Sequence, residues 1–247
     1  TTALTFGSRT DFATGTNPVR ILVGDLDGDG KPDISVLNNG ADSVTLLQNL
    51  STPGNLILGA AGTISVGSVP VDFEIADLDG DGLSDFAVIN AGSANITIVR
   101  NASTPGSISF NASVNLTSSF PQPMDVAIAD LNGDGRNDLV VSTAVGASAL
   151  SNQSMNGTLA PGSFAAAVSI DANGALSRLV VTDWDRDGRI DVMGETGARE
   201  LRVLVNNSFT TNISFTPAVT VATGTGFVKS LIAVDLDGDG NEDILRV

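Results

Sequence analysis

Five acidic nonapeptides, DLDGDGKPD (25–33), DLDGDGLSD (77–85), DLNGDGRND (130–138), DWDRDGRID (183–191) and DLDGDGNED (235–243), begin 52, 53, 53 and 52 residues apart. A period this regular constrains the fold strongly, because each unit must be the same supersecondary element, stacked on its neighbours to bury a shared core. The five units account for essentially the whole 247-residue chain.

Short apolar runs precede the nonapeptides, such as Val19-Arg20-Ile21-Leu22-Val23 and Val71-Asp72-Phe73-Glu74-Ile75, and others follow them, such as Ile34-Ser35-Val36-Leu37 and Phe86-Ala87-Val88-Ile89. These runs are β-branched, of strand length, and bounded by Gly, Asn and Asp. Two further runs per unit read the same way: Val44–Leu47 and Ile96–Val99 as third strands, Leu56–Leu58 and Ile108–Phe110 as fourth. Thr-Pro-Gly turn signals at 52–54 and 104–106 separate them. No window carries a sustained helical period. Four strands in about 50 residues, repeated, predict an all-β propeller of about five four-stranded blades. The expected unit is a single propeller domain or propeller segment over 1–247. The fourth unit is the most eroded, with small and polar stretches at Ala144–Ser154 and Phe164–Ala167 and with Trp184 and Arg186 in its loop, so its blade is expected to be the least stable.

The nonapeptide spacing is chemically specific. In DxDxDxxxD, side chains at positions 1, 3, 5 and 9 converge on one point, position 7 offers a backbone carbonyl, and glycines permit the tight turns between them. The expected side-chain ligands are Asp25, Asp27, Asp29 and Asp33; Asp77, Asp79, Asp81 and Asp85; Asp130, Asn132, Asp134 and Asp138; Asp183, Asp185, Asp187 and Asp191; and Asp235, Asp237, Asp239 and Asp243. The carbonyls belong to Lys31, Leu83, Arg136, Arg189 and Asn241. Hard oxygen donors in this number suit Ca²⁺ better than Mg²⁺, and transition metals lack their preferred ligands. An EF-hand is excluded by context: position 12 is Val36, Val88, Val141, Gly194 or Arg246 rather than a bidentate Glu, and no helices flank the loops. Solvated acidic turns would not repeat Asp or Asn at the same four offsets in five units.

Composition closes other routes. With 12 Lys+Arg against 28 Asp+Glu, the net charge of −16 rules out neutralising a nucleic-acid backbone or an anionic membrane as the main task. The expected side-chain ligands include 19 of the acidic residues, and five divalent ions would offset ten of those sixteen net charges. No run approaches the roughly 18 apolar residues of a membrane span. The absence of Cys, His and Tyr removes thiolate and imidazole chemistry. Paired carboxylates could still work without histidine, but Glu74, Glu195, Glu200 and Glu242 are scattered, and the expectation is a protein that is not an enzyme.

On these loops and their spacing, the chain resembles the FG-GAP/VCBS repeats, the blades of integrin α-subunit propellers and of many large secreted bacterial proteins. The resemblance implies calcium on the hairpin loop between the first two strands of each blade, and an adhesive, surface-scaffold or filament role outside the cell, secreted or at the cell surface. The elements that name the repeat survive only in fragments such as Phe6-Gly7 and Pro161-Gly162. An integrin-like lectin is the alternative, so the expected partner is a protein or a glycan, with self-assembly through an open blade edge as a further route. That edge follows from the strand count: Leu4–Phe6 and Asp11-Phe12 match a fourth strand, whereas the last unit stops at its second.

Smaller signals point the same way. Phenylalanines near strand positions, among them Phe73, Phe86, Phe110 and Phe209, are expected between blades, as is Trp184. Arg178, Arg186, Arg189, Arg199 and Arg202 gather late in the chain and either moderate acidic repulsion or form a carboxylate-binding patch. Nine Asn-x-Ser/Thr triplets occur, at 49, 95, 101, 111, 115, 152, 156, 206 and 212; turn-forming Asn and glycan acceptors are both admissible.

Overall fold

A computed structural model describes residues 9–116, 120–155, 157–198, 200–209, 212–221 and 230–246. Leu4–Phe6, Phe6-Gly7, Asn156 and Arg199 lie outside these. The described chain is all-β. Blade 1 comprises β1 (Pro18–Gly24), β2 (Asp33–Asn38), β3 (Ser43–Asn49) and β4 (Leu58–Ser65); blade 2, β5 (Pro70–Ala76), β6 (Asp85–Asn90), β7 (Asn95–Val99) and β8 (Val114–Leu116). Blade 3 comprises β9 (Pro123–Ala129), β10 (Asp138–Thr143), β11 (Gly146–Leu150) and β12 (Val168–Asp171); blade 4, β13 (Leu176–Thr182), β14 (Asp191–Thr196), β15 (Leu201–Leu204) and β16 (Val219–Val221). Blade 5 has β17 (Leu231–Val234) and β18 (Asp243–Arg246) among the described residues. Strands pair antiparallel in chain order within each sheet, as in propeller blades.

The second strand of each complete blade is the most deeply set. β6, β10 and β14 are buried at every residue, because strands flank them in the sheet and adjacent blades cover their faces. Between blades 1 and 2, Leu26, Leu37, Val44 and Leu46 meet Phe73, Phe86, Val88 and Val99. Phe73 stacks on Phe86 at 5.9 Å between ring centroids, and Phe86 lies 5.0 Å from Phe110. Burying one such ring stabilises by about 1.5–3 kcal/mol. The same layering joins blades 2 and 3 through Ile89, Ile98, Val126 and Val141, and blades 3 and 4 through Leu131, Val140, Val192 and Leu204.

Four expectations change. The fourth strands run later than Leu56–Leu58 and Ile108–Phe110: after each Pro-Gly turn the chain first closes a small loop, bridged Thr52 to Asn55 and Thr104 to Ser107, and β4 starts only at Leu58, opposite Asn49, and β8 at Val114. Asp11-Phe12 lies in no strand. The eroded stretch at Ala144–Ser154 carries β11 of blade 3, whose Ala147 and Ala149 are 2% and 0% exposed, since small side chains let blade 4 approach closely. The least covered blade is instead the fifth. Phe209, expected between blades, is exposed.

Candidate metal centre

Each acidic loop links the first and second strands of its blade, and the same hydrogen bonds fold all of them. The position 1 carboxylate caps the turn: Asp25 accepts from Gly28 N (2.8 Å) and Gly30 N (2.9 Å), Asp77 from Gly80 N (2.7 Å) and Gly82 N (2.9 Å), and Asp235 from Gly238 N (2.7 Å) and Gly240 N (2.8 Å). Asp130 does the same toward Gly133 and Gly135, and Asp183 toward Gly188. Position 4 is left-handed throughout, with φ of 74° at Gly28 and 77° at Gly238; the fourth loop forces Arg186 to φ 60°, a conformation that costs a side chain with Cβ.

Position 9 is anchored differently. Asp33, Asp85, Asp138 and Asp191 are buried, and each spends both oxygens on backbone N–H groups, one in its own loop and one at or just beyond the end of the third strand. For Asp85 these are Leu78 N (2.9 Å) and Asn101 N (2.7 Å). Burial outweighs these bonds and pushes Asp85 up to about 7 and Asp138 to about 6, with Asp33 and Asp191 raised in the same sense. Asp243 accepts from Leu236 N (3.0 Å). Position 5 turns back on position 7: Asp29, Asp81, Asp134, Asp187 and Asp239 accept from the backbone N–H of Lys31, Leu83, Arg136, Arg189 and Asn241.

The result is convergence. Carboxylate oxygens lie within 4.8 Å of one another in Asp25, Asp27 and Asp29; in Asp77, Asp79 and Asp85; in Asp183, Asp185 and Asp191; and in Asp235, Asp237 and Asp239. The third loop forms no such trio of acidic side chains, its position 3 being the amide of Asn132. Packed carboxylates with desolvated members at position 9 form a donor set that a hard cation would neutralise, and four of these clusters could hold a metal.

The sequence reading missed the side chain that faces position 3 from the end of the third strand or the residue just past it. Gln48 donates to Asp27 Oδ2 (2.6 Å), Ser151 Oγ accepts from Asn132 Nδ2 (3.2 Å), and Arg100 pairs with both Asp79 and Asp81. It also missed the bonds that tie one loop to the next blade. Asn101, Asn152 and Asn206, all fully buried, donate Nδ2 to the position 2 carbonyls of Leu26, Leu78 and Leu131, each at 2.8 Å, and to a carbonyl of their own loop. Those triplets are therefore blade staples, and their nitrogens are not available to a glycan. Arg178, Arg189 and Arg202 pair with Glu195, Asp187 and Asp171, which accounts for them without a carboxylate ligand. At the opposite ends of the first strands, Asp72 accepts from Val126 N (3.0 Å) and Asp125 from Leu179 N (2.7 Å), each in the following blade.

The model of the FG-GAP-like repeat matches residues 25–88, 77–141 and 183–245. The chain belongs to this repeat family. No curated protein matches the chain. Among solved structures, BBS1N in complex with ARL6DN, soaked with lead, aligns over 95% of this chain and 76% of its own at 11% identity, with a TM-score of 0.52, a likeness of fold. The V. cholerae biofilm matrix protein Bap1 aligns over 79% of this chain and 36% of its own at 20% identity, with a TM-score of 0.36.

Proposed function

We propose that this FG-GAP-like repeat chain is a non-enzymatic, calcium-stabilised propeller, a single domain or propeller segment, working outside the cell as an adhesion or scaffold module with a protein partner. The observation that carries the reading is the recurrence of converging, partly desolvated carboxylates at the same hairpin in successive blades. About five ions are held, one per loop, with positions 1, 3, 5 and 9 and the position 7 carbonyls of Lys31, Leu83, Arg136, Arg189 and Asn241 as ligands. Millimolar extracellular calcium fills sites of modest affinity, and a site at 100 times its dissociation constant adds about 2.7 kcal/mol of stability. BBS1N, which shares the fold, is in a complex with ARL6DN, and a protein partner is the class of ligand we carry to this chain.

The test is calorimetric titration with Ca²⁺ and Mg²⁺ beside melting curves in calcium and in excess chelator. Binding of several calcium ions, weak response to magnesium and a sharp fall in Tm on chelation are expected. A melting curve unchanged by exhaustive chelation would sink the reading.

A further inference from the structure

Four of the five position 5 aspartates pair with a cation of their own blade. Lys31 pairs with Asp29 (3.1 Å), Arg136 with Asp134 (3.2 Å) and Arg189 with Asp187, all from position 7. In the second loop position 7 is Leu83, which cannot do this, and Arg100 pairs with Asp81 instead. In the fifth loop position 7 is Asn241, and what reaches Asp239 Oδ2 is its neutral amide (2.7 Å). A cation meets this loop from the preceding blade. Position 4 is glycine in the other four loops and Arg186 in the fourth, where the backbone is left-handed at φ 60°, a conformation that glycine adopts freely and a side chain with Cβ does not. Within its own loop Arg186 shows no return for that strain. Its side chain makes no hydrogen bond or ion pair there among the described residues, and its N–H does not cap onto position 1 as those of Gly28, Gly80, Gly133 and Gly238 do. Its guanidinium lies over the fifth loop instead, where a Cβ placed on Gly240 would stand 3.1 Å from Nη2. The Asn241 N–H and amide, and then the Arg186 charge, hold the Asp239 carboxyl below its ordinary value, though no direct ion pair joins Arg186 to it.

We propose that Arg186 is the counter-charge of the fifth loop, supplied by blade 4, and that it sets the calcium affinity of that site. In the metal-free chain it offsets the crowded carboxylates of Asp235, Asp237 and Asp239, and an entering cation is repelled by it. The strained backbone is kept because only position 4 of the neighbouring loop projects a side chain over Gly240. The inference rests on the calcium reading of the loops and concerns the fifth site alone. Both groups are exposed, so the effect is that of a surface charge pair: about twofold to fivefold in affinity at physiological salt, and more at low salt. The same charge holds the fifth loop to blade 4, and blade 5 has the least apolar cover to do so otherwise.

The experiment is hydrogen exchange on the full chain, read by mass spectrometry across a calcium titration at about 0.02 M and about 0.15 M salt, because fragments covering 231–246 report on the fifth loop by itself. Arg186→Gly and Arg186→Asn both suit the left-handed backbone and remove the charge, whereas Arg186→Lys keeps it. Both neutral variants should bring protection of 231–246 at about twofold to fivefold less calcium, with the larger shift at the lower salt and the first three loops unmoved. In chelator the same two variants should exchange faster in β17 and β18, although they relieve the backbone, and Arg186→Lys should follow the wild type in both arms. A fifth-loop midpoint shared by all the variants and the wild type, a Lys variant that moves as far as the Gly variant, or neutral variants that leave exchange in chelator unchanged would each overturn the proposal and leave the calcium reading standing. Calcium that protects no loop in any of these proteins would overturn both.

Discussion

At the scale of single residues, the position 9 aspartates decide how the metal-free chain responds to pH. Asp85 and Asp138 are held up to about 7 and about 6 by burial, against 3.8 for the exposed group. The folded chain therefore binds their protons more tightly than the unfolded chain. That contribution is complete below 3.8 and is lost as pH rises through about 6 to 7. In chelator, the urea midpoint should fall between about pH 5 and about pH 8; in calcium the fall should flatten or reverse, because the ion holds the carboxylates ionised. A midpoint that rises with pH in chelator would show that burial does not govern these groups. Arg100 makes a second residue-scale case. It neutralises Asp79 and Asp81 from just beyond the third strand, where blade 1 has Gln48, and an incoming cation must compete with it. Charge-assisted bonds of about 1.5–3 kcal/mol are at stake, so Arg100→Gln should tighten one calcium site by about tenfold or more and leave the others unchanged, as read by calorimetry. Equal affinities in the two proteins would refute this.

At the scale of the element, the hairpin loop is a device that works both within its blade and against the next. The loop itself was legible in sequence, because its offsets report its chemistry directly and its glycines mark the left-handed positions. The staple was not. Asn101, Asn152 and Asn206 recur at matching places, but their acceptors lie 74 or 75 residues earlier in another blade, and no local pattern reveals a partner at that distance. The fourth strands escaped for a related reason: Leu58–Ser65 is rich in Gly and Ala, so pairing with β3 rather than propensity makes it a strand. The staple's worth follows from its surroundings. Asn152→Ala removes the bonds to the carbonyls of Leu78 and Asn137 and the acceptor of Ser154 N in a buried seam, where Ser154 Oγ still reaches the Leu78 carbonyl, at a cost of about 2–4 kcal/mol. Asn49→Ala, at the partly exposed equivalent in blade 1, gives up the bonds to Pro32 O and from Ser51 N but none to another blade, where water can replace them, and should cost less than about 1 kcal/mol. Chemical denaturation of the two variants checks the ordering, and similar losses would mean that the interblade bond contributes nothing.

At the scale of the whole molecule, the constant period announced a stack of equivalent blades, but equal sequence does not give equal burial. Among the described residues, the core clusters join consecutive blades, so stability is set by what lies on either side, as in other repeat arrays. Blades 2 and 3 are covered on both faces, and β6 and β10 have no exposed residue. Blade 5 pairs β17 with β18 alone among the described residues, both strands carry exposed apolar side chains, and its loop leucine is open to water. Local opening should therefore be graded along the chain rather than uniform. Native-state hydrogen exchange on the calcium-loaded monomer should show fastest exchange in β17 and β18, intermediate rates in β1 and β16, and slowest exchange in β6 and β10. Chelation should widen that gradient, because blade 5 loses the ion holding Asp235, Asp237 and Asp239 together and has the least apolar contact left to replace it. Exchange at one common rate in every blade would mean instead that the array opens only as a whole, with coupling between blades strong enough to erase the difference in burial.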